Sequence, residues 1–181
     1  MTTLHQDPVR HSFLLRQSQL AAELNHSSNI VTFVPMSEGA CDRYLIELAC
    51  KGLTRHPDGQ VEVRQRWVFG LQFPAEYLAK AVHVASLLNF LGPTQLWHSN
   101  VNGPFVCIRV KPGMSIVEIA HALTDLVTWR LFSLADPLNE EAAQWARNVE
   151  PGTLPLDRRP LRWKTGDAES QASEILVNEV T

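Results

Sequence analysis

Cys41, Cys50 and Cys107 are the strongest nucleophiles in this sequence, and they are an odd number with no CxxC pair. That pattern argues against a disulfide framework and against a thiolate zinc site, so any chemistry here uses one sulfur alone. A single cysteine suits acyl transfer. Its thiolate attacks carbonyls readily and is also a tolerable leaving group, so it can hold an acyl group as a thioester and give it up to an amine. Cys41 and Cys50 flank a segment of strand character and read as core or sheet residues, which singles out Cys107. Its neighbours Phe105, Val106, Ile108 and Val110 also allow a plainer reading, a small buried hydrophobe. His5, His11, His26, His56, His83 and His121 show no HxH or HxxxH spacing, so no metal centre is expected.

The elements that must place Cys107 follow from periodicity. Phe13, Leu14, Leu20 and Leu24 recur at helical intervals and predict an amphipathic helix over residues 11–25. Three segments of β character follow, 29–35, 43–52 and 61–73, interrupted by a Ser/Glu/Gly stretch and by His56-Pro57-Asp58-Gly59. Proline presets φ and glycine accepts a positive φ, so the second and third segments are expected to form a hairpin. Residues 80–86 read as a fourth short strand. The chain then wanders through 87–96 and reaches Cys107 by an irregular run of Ser, Asn, Gly and Pro.

A second helix is predicted from 115 to 132. Ser115 can cap it, Glu118 stands at the capping-box position, and Ile116, Ile119, Ala120, Leu123, Leu126, Val127 and Leu131 share one face. Asp136-Pro137 is expected to end it, and 139–148 forms a third helix. Pro151, Pro155 and Pro160 prevent regular structure beyond Val149, and the polar stretch 165–181 carries a weak Ile175-Leu176-Val177 cluster. The fold class is α+β: an N-terminal helix, a four-stranded antiparallel meander, a loop bearing the cysteine, then two helices. The expected organisation is an N-terminal tail over 1–10, one domain over 11–149, and an extended, partly disordered tail over 150–181.

Composition bounds the function. The 181 residues are 45% hydrophobic, enough for one sizeable core. With 16 basic against 19 acidic side chains the net charge is -3, which gives no electrostatic reason to seek nucleic acid. The first 16 residues are polar and broken by Pro8, unlike a secretory signal, and no apolar run is long enough to span a membrane. A soluble, cytoplasmic protein is expected.

Three local sequences and one cysteine, in order, resemble the ubiquitin-conjugating (E2, UBC-like) family over residues 12–148. Phe69-Gly70-Leu71-Gln72-Phe73-Pro74-Ala75-Glu76-Tyr77 resembles the family's third strand and its Phe-Pro-x-x-Tyr corner. Leu96-Trp97-His98-Ser99-Asn100-Val101-Asn102-Gly103 resembles the His-Pro-Asn segment, and Cys107 falls where the family keeps its catalytic cysteine. Leu134-Ala135-Asp136-Pro137-Leu138-Asn139-Glu140-Glu141 is similar to the acidic Asp-Pro loop beyond it. Ser99 stands where proline is usual, and the gap from Asn100 to Cys107 is one residue short. The proline-rich entry to the fourth strand reads Ala79-Lys80-Ala81. The tryptophan usual after the cysteine is absent, and the prolines after 150 leave no room for an ordinary last helix. The chain is identified as a divergent, compact member, of the kind belonging to bacterial ubiquitin-like conjugation in anti-phage defence.

The resemblance implies an acyl carrier. Cys107 would accept a ubiquitin-like protein as a thioester from an E1-like activating enzyme and pass it to an amine of a protein target. Asn100 would stabilise the tetrahedral oxyanion or hold the loop, although an asparagine also bonds its own turn readily. His98 would hold the loop and takes no catalytic part. Glu141 would orient the incoming lysine and help it lose its proton. Asp136, Glu140 and Glu141 serve equally well as charges complementing a helix N-terminus. The first helix would engage the E1-like enzyme, and no cofactor or metal is implied. Two other classes fit the same residues: an inactive E2-fold scaffold, and a cysteine hydrolase using Cys107 with His98 or His121.

Overall fold

The computed structural model describes residues 7–149 and 153–161. Helix α1, Pro8–Ser27, begins earlier than expected because Asp7 caps it: its carboxylate accepts from Val9 N at 2.9 Å and Arg10 N at 3.3 Å, and Pro8 occupies the first turn. Proline costs nothing there, since that N–H has no helical partner. The N-terminal tail predicted over 1–10 is thus corrected for 8–10, and residues 1–6 lie outside the described residues.

Strands β1 (Val31–Pro35), β2 (Arg43–Leu48), β5 (Trp67–Gln72) and β6 (Leu88–Gly92) form one antiparallel sheet in the order β1-β2-β5-β6. Its register pairs Val31 with Leu48, Tyr44 with Leu71 and Phe69 with Phe90. Alternate residues, Phe33, Tyr44, Ile46, Trp67, Phe69 and Leu88 among them, are buried on one face, each worth about 1.5–3 kcal/mol when taken out of water. Against that face lie α1, through Leu14, Leu20 and Leu24, and α3 (Ile116–Val127), through Ile119, Leu123 and Leu126. Gln17 joins the two helices: it is buried, and its Oε1 accepts the N–H of Ile116 at 2.8 Å.

The second and third β segments are each divided. Between β2 and β5 the chain forms a separate ribbon, β3 (Gly52–Arg55) with β4 (Val61–Arg64), closed by the Pro57-Asp58-Gly59 turn. The turn falls where expected, but β2 pairs with β5 and not with the ribbon. Gly52 permits the departure. A Cβ there would stand 2.7 Å from Val127 Cγ1 and 2.9 Å from the Trp67 ring.

Two further expectations are corrected. The strand predicted over 80–86 is irregular over 80–83 and then enters the short helix α2, Val84–Leu87; the sheet's edge strand is β6, because Leu88 and Phe90 meet Leu71 and Phe69. The helix predicted to reach 132 stops at Val127, well before Asp136-Pro137. At its start Ser115 and Glu118 form the expected reciprocal capping box. Helix α4 spans Glu140–Arg147 with Asn139 as its cap.

A smaller apolar cluster joins the ribbon to α4: Leu53, Trp97, Trp129 and Ala142 at its centre, with Val61, Val63, Trp145, Leu154 and Leu156 around them. The segment 153–161 is irregular, as its prolines require, and packs on the domain. Leu161 is buried in the main core, and Arg159 donates to Asp157 and to the Ala49 carbonyl. The Arg159 hydrogen bonds hold the Asp157 carboxyl down at about 2. The Ile175-Leu176-Val177 cluster and the stretch 165–181 lie outside the described residues. Among the described residues no helix is long and apolar enough to cross a membrane.

Candidate functional site

Cys107 follows a two-strand turn built from β7, Val101–Asn102, and β8, Phe105–Val106. Val101, Val106 and Ile108 are buried while Cys107 is exposed. Apolar anchors on either side of the cysteine therefore face inward and turn its side chain to solvent. Of the three cysteines Cys41 and Cys50 are buried, and burial pushes the Cys50 thiol up to about 12. At Cys41 burial is outweighed by hydrogen bonds with Ser37 and Arg43 that lower the thiol, so Cys41 is set apart by its lack of access to a substrate and not by its acidity.

The loop is held by Asn100. Its backbone carbonyl accepts the Cys107 N–H at 2.8 Å, and its side-chain Nδ2 donates to the Cys107 carbonyl at 3.0 Å. One asparagine thus clasps both backbone groups of the cysteine. Its Oδ1 accepts twice, from Ser133 N at 2.7 Å and from Ser99 Oγ at 3.0 Å. Asn100 is buried, and these bonds make it an architectural residue of the loop. One of its two amide hydrogens is used on Cys107; only the other remains for a reacting oxyanion.

His98 is fully buried and its Nδ1 accepts the Asn100 N–H at 2.9 Å, which places the ring proton on Nε2 in the neutral form. Burial holds this imidazole down at about 3, with the Leu131 backbone acting in the other direction. An imidazole so placed stays neutral near pH 7 and is committed to the loop through its Nδ1. The Ser99 carbonyl accepts Asn139 N at 3.0 Å and Asn102 Nδ2 donates to the Leu138 carbonyl at 3.2 Å, so the loop is also tied to the start of α4.

Asn100 and Cys107 are therefore brought together, and Glu141 is not brought into that group. In the first turn of α4 its carboxylate lies 2.6 Å from Arg55 Nη1, and that guanidinium sits 4.8 Å over the Trp97 ring. Glu140 pairs with Arg147 at 2.9 Å. The sequence reading missed Ser99 as a contributor: its hydroxyl and carbonyl make two of the loop's bonds, and the visible signal was a hydroxyl residue inside His-x-Asn. Among the described residues no group of three or more His, Cys, Asp or Glu is placed to hold a metal ion. No family model matches the chain, and no curated protein matches it.

Proposed function

We propose that the protein is an E2-like carrier that holds a ubiquitin-like modifier as a thioester on Cys107. The observation behind this reading is the exposed Cys107 on a loop whose backbone Asn100 clasps at 2.8 and 3.0 Å. An exposed cysteine whose backbone is held at both its N–H and its carbonyl supports the first requirement of acyl exchange, a nucleophile presented from a fixed loop.

In the first step the Cys107 thiolate adds to the carbonyl carbon of the thioester joining the modifier's terminal glycine to the E1-like enzyme. The bond to the E1 sulfur breaks, and that sulfur leaves as a thiolate and takes up a proton, with no change of redox state. In the second step an amine nitrogen adds to the same carbon, an amide forms, and Cys107 leaves. Asn100 supports the oxyanion with its remaining amide hydrogen while keeping the loop in place. The amine must be uncharged, and free lysine titrates near ~10.4. Glu141, paired with Arg55 at 2.6 Å and outside the Asn100–Cys107 group, is given no part in that step.

The test is incubation with the activating enzyme and modifier of the same host and ATP. The expected product is an adduct that reducing agent removes and that Cys107→Ala cannot form; an adduct persisting in that variant would overturn the reading. The scaffold alternative has one observation in its favour, the commitment of Asn100 to the Cys107 carbonyl, and it predicts that Cys107→Ala leaves biological activity intact. A hydrolase needs an imidazole on the sulfur, and the Nδ1 of His98 is taken by Asn100.

A further inference from the structure

The end of α3 breaks a local rule. Arg130 N donates to Asp125 O at 2.8 Å and Trp129 N to Leu126 O at 3.0 Å, the two bonds of a Schellman helix end. Trp129 occupies the left-handed position of that motif, with φ 56°. Glycine is the usual occupant, because a bulky side chain there strains the backbone and persists only where its surroundings hold it. Stopping the helix does not need an indole, so the indole answers to something else.

Its contacts point to the Cys107 loop. The Trp129 Nε1 donates to the Trp97 carbonyl at 3.1 Å, and its ring centroid lies 4.3 Å from that of His98. Trp97 and His98 are the residues that lead into Asn100, and His98 receives the Asn100 N–H. On the other side, the turn made at Trp129 carries the chain to Ser133, whose N–H reaches Asn100 Oδ1. One residue therefore grips the approach to Asn100 by its side chain and aims the opposite support by its backbone. The ring also lies 6.0 Å from that of Phe132 and 5.9 Å from that of Trp145, so it joins the small apolar cluster to the loop, while a cavity of about 490 Å³ lies along Trp129, Phe132, Leu154 and Leu156.

We propose that Trp129 is a positioning residue for the Cys107 loop, holding His98 and, through it, Asn100 where that asparagine clasps the cysteine. Its effect on transfer rests on the carrier reading; its effect on the loop does not. Trp129→Phe, Trp129→Leu and Trp129→Gly separate the roles: phenylalanine keeps a ring on His98, leucine keeps apolar volume, and glycine suits the backbone best. Amide hydrogen exchange at Asn100 and Cys107 is measured alongside kcat and KM for discharge of the loaded protein.

Phe is expected to stay within about threefold of wild type in both. Leu and Gly are expected to speed exchange at Asn100 and Cys107 by about tenfold or more, with β2 and β5 unchanged. They also lower kcat by about tenfold or more at constant KM, since small misplacements carry rate costs of that order. If Trp129→Gly does not fold, Phe against Leu decides the question. Wild-type exchange at both amides in Trp129→Leu would overturn the proposal, and loosened exchange with unchanged kcat would overturn its catalytic part. A wild-type protein that takes no modifier would refute the carrier reading alone.

Discussion

The sheet and the Cys107 loop are held by different means. In the sheet, the β1-β2-β5-β6 ladder and its buried face share the load among many apolar side chains. In the loop, a few side-chain hydrogen bonds converge on one asparagine. A shared load degrades gradually, whereas a convergent one fails at a point. Damage to the sheet should therefore appear as lost stability at unchanged chemistry, and damage to the loop as lost chemistry in a protein that still folds.

The largest effect expected is in the sheet. Phe69 is fully buried with its ring centroid 5.2 Å from that of Phe90, so Phe69→Ala should cost about 3–5 kcal/mol in chemical denaturation. The folded fraction should load Cys107 at the wild-type rate; slower loading by that fraction would break the comparison. Asn100→Ala is the converse. It should slow discharge by about 10²-fold and, by leaving Ser133 N unpaired, cost about 1–3 kcal/mol.

A pH measurement sharpens the contrast. Unfolded, His98 takes up a proton near its ordinary 6.5; folded, burial refuses it until about 3. The folded pKa is depressed, so the contribution is complete above 6.5 and is withdrawn as pH falls towards 3. The His98 ring resonances should show no protonation down to about pH 4, and a midpoint near 6.5 would contradict the buried, neutral assignment. The smallest effect belongs to Glu141. Its side chain is 78% exposed and paired with Arg55 away from Cys107, so Glu141→Gln should leave stability unchanged and discharge to lysine within about twofold of wild type; a larger loss would place Glu141 in the transfer step after all.

What the sequence disclosed follows the same division. The Ser115/Glu118 capping box and the Pro57-Asp58-Gly59 turn depend on neighbours in the chain, and both lie where local chemistry puts them. The start of α1 was also legible in Asp7-Pro8, a cap and a first-turn proline, but Pro8 read as a breaker. Strand β6 was not legible. Val82, Val84, Leu87, Leu88, Phe90 and Leu91 form one nearly continuous apolar stretch, and only pairing with Phe69 and Leu71 decides which part is strand. The helix end at Trp129 was hidden because Leu131 prolongs the helical period and no glycine marks the stop. The Asn100–Cys107 pairing was approached through a resemblance in motif order, yet no periodicity could indicate that the asparagine grips the cysteine's own backbone.

The most direct test of the central claim is the chemistry of the bond at residue 107. Wild-type protein and Cys107→Ser are each incubated with the activating enzyme, ATP and modifier, and intact masses are read before and after dithiothreitol. The account predicts one modifier per chain on both, released by the thiol from wild type and retained as an oxygen ester on the serine variant. A wild-type adduct that survives the thiol, or one unaffected by changing residue 107, would contradict it.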